Sequence, residues 1–539
     1  MGAKEICILL GIFTIIVFLL KEAVVNHEFK RFLYIGVYFI IVAYLYFTFK
    51  LSFTRIILLY IVVPATLIGL IWGGKEYEKP AKPVSDIKII SGKNIFLRNV
   101  FAGIGIFGGT GSGKTASIIA RLLKHFSEYE FAGIIYDYKD GELTEICLPL
   151  FPKMKIIAIH RPDISLRVNP IDPKYMTDEK EVTAVTKVIL DNLKGSNQND
   201  NFFDKTAESL LSSIILKFAL DHKAFCSLPY VIAFILSVDF SFKAEKKNKL
   251  SEDAFDTFLG LKKFLISNPR VKIQASAFIL GLASEKQTAG VVSTLANSLR
   301  EISYPQSFWV LSGNDFDLGI NAENNRTVLS VLNEPKTEEA LNPLIATIIH
   351  TVTKQMMVRN RKHSFVLLDE APTLKFKNMA RMVATMRSFN VCTVYCAQDI
   401  VQGVQQYGRE GFKAILSNLS SLFLGRVNDP DSGKFYEGYF ELIKIKTKSK
   451  TQGGNGSSTT IGEREVAKTR AYEFTKFKPG KFAFVSSGKA EIIQFPVPKN
   501  EKQEFQNEPE KMNSIVVNNY NKIISDISIF AKEIGITEE

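Results

Sequence analysis

"GIGIFGGTGSGKTASIIARLLKHF", running from Gly103 to Phe126, is the stretch on which the reading of this chain turns. Gly103–Phe107 reads as a short buried strand, and the residues from Ala116 onward carry apolar side chains at helical spacing. Between them, Gly108-x-x-x-x-Gly113-Lys114-Thr115 has the spacing of a phosphate-binding loop. Gly109, Gly111 and Gly113 let backbone N–H groups turn inward and cradle phosphate oxygens at the positive end of the helix. The run Gly108, Gly109, Thr110, Gly111, Ser112, Gly113, Lys114 and Thr115 is thus the expected nucleotide site. Lys114 is expected to reach the β- and γ-phosphates and the Thr115 hydroxyl to bind Mg2+, which makes ATP and Mg2+ the implied cofactors. The bland alternative, a Gly-rich turn without a ligand, is disfavoured because strand, loop and helix occur in the order the motif requires.

A second strand completes the pattern. In "FVLLDEAP", four apolar residues end in Asp369-Glu370, which suits a buried strand delivering two carboxylates at its C-terminal edge, where open α/β sheets bind ligands. Asp369 is expected in the Mg2+ shell and Glu370 to polarise the attacking water. Gln398 follows the apolar run Val391–Cys396 in "YCAQD" and is placed to sense the γ-phosphate or position water. Arg387, in "MRSFNV", lies on the helix between these strands. It reads equally as a solvated helix arginine or as a group that neutralises transition-state charge from a neighbouring subunit.

Outward from these motifs, the β/α rhythm sets the fold class. Strand signals at Gly133–Tyr138 and Lys155–Ile159 follow the loop, and four more occur at Arg326–Leu332, Ser364–Asp369, Val391–Cys396 and Ser421–Gly425. Helical signals between them argue for an α/β fold with a parallel sheet. Between about Met176 and Thr294, strands give way to long helical periodicities such as "FFDKTAESLLSSIILKFAL". The expected organisation is a nucleotide-binding domain in two parts, 76–175 and 295–500, around an all-helical insertion, 176–294. Within the second part, 446–465 is rich in Lys, Thr, Ser and Gly and reads as a mobile loop. The tail, 501–539, starts polar and ends in a short amphipathic helix.

The chain has 539 residues, too many for one core, with a net charge of +12 and 46% hydrophobic residues. Its mean hydropathy of +0.07 is high for a soluble chain, and much of the excess precedes Lys75. Three uncharged apolar runs lie there: Ile6–Leu20, Phe32–Phe49 and Ile56–Trp72. They make 1–75 a transmembrane segment of two or three helices, with the ATP-using domain in the cytoplasm. The positive charge suits nucleic acid or anionic lipid. Five scattered cysteines without a C-x-x-C pair fit a reducing compartment, and Cys392 and Cys396 read as core packing.

The order of these features resembles the type IV coupling proteins, the TraD/TraG family of conjugation and type IV secretion. Supporting segments are "YDYKDGEL" at Tyr136–Leu143, "VNPID" at Val168–Asp172, "DNFFDKTAESLL", "SGNDFDL" at Ser312–Leu318 and "FKPGKFAFVSSGKAEIIQFPVP". Two departures stand out: Tyr138 replaces the proline of the family's DPKGE, and Phe202-Phe203 replace its usual Phe-Trp pair. The resemblance implies a RecA-like motor domain and a homo-hexamer anchored in the bacterial inner membrane. It implies partners too: DNA bound without sequence preference, relaxase or relaxosome proteins, and components of the secretion channel. By the same likeness Lys114, Thr115, Asp369, Glu370, Gln398 and Arg387 fall on motif positions. Two other readings share the motor: a DNA translocase of the FtsK/HerA kind, and a nucleotide-gated scaffold that docks cargo without moving it. The helical insertion argues against the first and Glu370 against the second.

Overall fold

The computed structural model describes residues 84–91, 93–193, 201–237, 257–376, 378–453, 456–505 and 509–536. The three N-terminal apolar runs lie outside these residues. Among the described residues, no helix is long and apolar enough to cross a membrane.

The frame is a nine-stranded sheet. In chain order its strands are β1 (Ile104–Phe107), β2 (Ala132–Asp137), β3 (Lys155–Ala158), β4 (Val328–Leu332), β5 (Ser364–Leu368), β6 (Val391–Ala397), β7 (Ser421–Leu424), β8 (Lys481–Ser486) and β9 (Lys489–Gln494). In space they run β9-β8-β7-β1-β6-β5-β2-β4-β3. From β7 to β3 every pairing is parallel, while β8 and β9 add an antiparallel edge beside β7.

The central strands are buried along their whole length and largely apolar because both faces are covered. Ile135, Phe365, Leu367, Cys392, Val394 and Cys396 share one core with Ile118, Leu122 and Phe126 from the helix after the loop. Ile134, Tyr136, Val366, Leu368 and Tyr395 point into the other, with Ile345, Ile348 and Ile349 of the helix Glu338–Met356. Both strand cysteines are fully buried, unpaired thiols. Gly133 allows close packing: a Cβ there would stand 2.3 Å from the Phe365 ring.

Between β3 and the short strand at Asn321, the described residues hold helices and no strand. The expected end of this block at Thr294 needs correcting, because residue 294 lies within the helix Glu285–Arg300. Pro305 then opens another helix, Pro305–Leu311, as its fixed φ suits a first helical position.

Two further expectations are corrected. The stretch read as a mobile loop, 446–465, is most of an antiparallel hairpin pairing Leu442–Gly453 with Gly456–Ala467. Its composition offers little to bury, but β-branched threonines suit extended backbone, and the two strands satisfy their backbone groups by pairing with each other. The tail ends in a helix of 25 residues, Pro509–Glu533, longer than the short helix expected. It returns to the helical block, where Phe530 packs 4.7 Å from Phe225 and 5.0 Å from His222, and the Tyr230 hydroxyl donates to Asp526 at 2.9 Å.

Candidate nucleotide-binding site

Strand register gathers most of the expected residues. Phe107, the last residue of β1, is level with Ala397 of β6 and Leu424 of β7. Tyr395 of β6 is level with Leu368 of β5, and Leu368 with Tyr136 of β2. The phosphate loop, Asp369-Glu370, Gln398 and Asp137 therefore emerge side by side at one carboxyl edge, from strands about 4.8 Å apart.

Within the loop, Gly111 and Gly113 take left-handed φ values of +74° and +89°, open to glycine at little cost. A Cβ at Gly113 would also meet the Gly480 nitrogen at 2.9 Å. Neighbouring backbone fixes the loop from both sides. The Gly109 N–H donates to the Arg426 carbonyl at 2.8 Å, and Arg426 Nη2 donates to the Thr110 carbonyl at 3.0 Å. The Gly480 N–H donates to the Ser112 carbonyl at 2.8 Å. Lys114 arches back over the loop, its Nζ donating to the carbonyls of Gly108 at 2.7 Å and Ala397 at 3.0 Å. The Ser112 and Ser117 hydroxyls are buried without a hydrogen-bond partner. Orphaned hydroxyls, an ammonium group and the unsatisfied N–H groups of a first helical turn fit a polyanionic phosphate. Thr115 and Asp369 supply the hydroxyl and carboxylate that suit Mg2+, which usually takes one or two carboxylates plus phosphate oxygens.

The carboxylates sit in a fixed frame. Glu370 is buried and holds a left-handed backbone, φ 56° and ψ 52°, uncommon for a residue with a side chain. Its Oε1 accepts the Gln398 N–H at 3.2 Å, so two residues 28 apart in sequence meet at the site. The turn after it is pinned by Thr373 Oγ1, which donates to the Glu370 carbonyl at 2.8 Å and pairs with the Tyr136 hydroxyl at 2.8 Å. Asn333 Nδ2 donates to that same tyrosine at 2.8 Å. Burial pushes the Asp369 carboxyl up to about 6; the positive charge of Lys114 opposes the shift and the negative charge of Glu370 adds to it.

Asp137 was not among the expected site residues. It ends β2, and its Oδ2 accepts both the backbone N–H and the hydroxyl of Thr144 at 2.7 Å. Burial nevertheless raises it to about 6, those hydrogen bonds opposing and the Asp369 charge adding. The signal for it was an aspartate closing an apolar run in "GIIYD", the same pattern that marked Asp369. Arg387 stands apart. It is exposed, on a short turn leading into β6, at the opposite edge of the sheet. A strand of seven residues, roughly 23 Å, separates that edge from the loop.

Fold and site together define a nucleotide-binding protein with a RecA-like sheet and an inserted helical block. The chain belongs to the type IV secretory system conjugative DNA transfer family, whose model matches residues 72–467. It is 20% identical over 376 residues to the conjugal transfer protein TraG of Rhizobium radiobacter, covering 66% of this chain. The match spans 54% of that relative, about half its length. The fold is shared with the bacterial conjugative coupling protein TrwBdeltaN70 in its unbound monoclinic form. There the TM-score is 0.59 at 14% identity, covering 78% of this chain and 91% of the other. TrwB in complex with ADP and Mg2+ gives 0.58 at 13% identity, covering 76% and 89%.

Proposed function

We propose that this chain is the coupling ATPase of a type IV secretion or conjugation system, anchored in the inner membrane with its nucleotide site in the cytoplasm. It receives DNA with its attached relaxase proteins and drives the transfer into the secretion channel, working as a homo-hexamer. The observation that carries the reading is the meeting of Glu370 with Gln398 beside the phosphate loop, because a scaffold that only bound nucleotide has no need of a buried, oriented carboxylate there. Family membership and the ADP and Mg2+ bound by TrwB support the choice of ligand.

ATP with Mg2+ supplies the phosphoryl bond to be cleaved. Within Gly108–Thr115, the backbone N–H groups of Gly108, Gly109 and Ser112 are held by carbonyls of Ala397, Arg426 and Gly109. Those of Thr110, Gly111, Gly113, Lys114 and Thr115 therefore hold the phosphates, and Lys114 leaves its two carbonyl partners to pair with phosphate oxygens. Thr115 and Asp369 hold the metal. Glu370, held by the Gln398 N–H, orients and polarises water, and Gln398 serves to sense the phosphate. Arg387, remote from the loop of its own subunit, serves the site of the next one.

Transfer frequency from donor cells tests the proposal. Lys114→Ala and Glu370→Gln, produced at wild-type levels, should each lower it by orders of magnitude. Transfer at wild-type frequency with either variant would refute an ATP-driven role.

A further inference from the structure

The hairpin Leu442–Gly453/Gly456–Ala467 contributes little to the core, yet each strand is twelve residues long, about 40 Å. Most of its described side chains face solvent, including Lys444, Lys446 and Lys448, and even Leu442 and Ile461 are 66% and 62% exposed. Lysines recur at every second position, 444, 446, 448 and 450, and alternation sets Lys444, Lys446 and Lys448 on one face of the ribbon. Glu465 and Glu463 stand directly opposite Lys444 and Lys446, whereas Ile461 and Thr459 stand opposite the two outer lysines. Among the described residues, Lys444, Lys446 and Lys448 form no ion pair. The exposed lysines of this ribbon bury little surface and form no ion pair among the described residues, so packing does not account for them.

Both roots of the hairpin lead to the phosphate loop. On one side the chain leaves β7 through Arg426, bonded to Gly109 and Thr110, and the helix Pro430–Glu437. On the other it passes the short helix Ala471–Thr475 and reaches Gly480, bonded to Ser112. We propose that this ribbon is a DNA-contacting arm, its lysine face binding backbone phosphates, and that its roots carry the contact to the nucleotide loop. The ligand class rests on the reading that the chain handles DNA; the position of the arm rests on the hairpin itself. Charge selects a polyanion, and same-face lysines about 6.8 Å apart form a row suited to successive phosphates. A two-stranded ribbon also fits the major groove of a duplex.

The test uses the full chain and a labelled oligonucleotide, single-stranded in one arm and duplex in the other, titrated across a salt series. Replacing Lys444, Lys446, Lys448 and Lys450 together with Gln should weaken binding at least tenfold. It should also reduce the salt slope by roughly 3, as expected when about four phosphate contacts are lost. The same four changed to Arg should restore both. ATP turnover without DNA should match the wild type, which shows that the variant is folded, and any stimulation of turnover by DNA should be lost. If the wild type binds DNA and the Gln variant binds equally well with an unchanged slope, the arm is wrong and the wider reading survives. If the wild type binds no DNA in either arm, both fall. Loss of binding to phosphatidylserine vesicles, or of self-association, with DNA binding intact would reassign the ribbon to membrane or to a second copy and overturn the inference.

Discussion

Glu370 holds a left-handed backbone that a side-chain-bearing residue rarely adopts, at a cost on the order of 1 kcal/mol, and it does so where two carboxylates leave the sheet. The placement of Asp369 and Glu370 at the end of a buried strand was legible, because two acids closing an apolar run mark a strand edge. Arg426 was not legible. It reaches the loop only because β7 lies beside β1, a pairing between segments more than 300 residues apart that no local pattern reveals. We predict that Arg426→Ala weakens nucleotide binding about tenfold, through loss of one hydrogen bond that fixes the loop. Fluorescent-nucleotide titration checks this, and unchanged affinity would make the contact incidental. Gly113→Ala should be far more severe, combining a disfavoured φ with a collision at Gly480, and should abolish nucleotide binding in the same assay.

At the scale of elements, the strands and the helical block followed from hydrophobic period, since each buries the side chains that produce its pattern. The hairpin did not, because its pairing is held by backbone hydrogen bonds and leaves most of its side chains in water. The tail was underestimated for another reason: the partners of the final helix lie some 300 residues away, in the aromatic group of Phe218, Phe225 and Phe264. Phe530→Ala removes a buried ring from that group and should cost about 3–5 kcal/mol, read as a lowered melting temperature by circular dichroism. A melting curve like the wild type's would show that the helix is not part of the helical core.

The helix Glu338–Met356 supplies a prediction in pH. Burial, with the charge of Lys354 adding, pulls His350 down to about 4. The unfolded chain therefore binds a proton near pH 6.5 that the folded chain refuses until about pH 4. The contribution of a neutral His350 is present above pH 6.5 and is lost as pH falls through that window, by up to about 2 kcal/mol at pH 5. His350→Gln should flatten this part of the stability profile. An unaltered acid limb would place its origin elsewhere.

For the whole molecule, the distance of Arg387 from its own loop is the informative fact. On the proposed ring arrangement, a loop at one edge of the sheet and an exposed arginine at the other would be completed into one site by neighbouring subunits. In related hydrolases an arginine of this kind is worth about 10³–10⁵ in rate. Arg387→Ala should nearly abolish turnover while nucleotide binding persists, and mixing it with Glu370→Gln should restore part of the activity through interfaces that keep both intact groups. The measurement that bears most directly on the account is steady-state ATP hydrolysis by the purified chain and by Glu370→Gln, with nucleotide affinity measured alongside. We predict turnover lowered by about 10²–10⁴ with affinity unchanged, as for loss of a general base. Turnover equal to the wild type's would remove Glu370 from the chemistry and contradict the site described above.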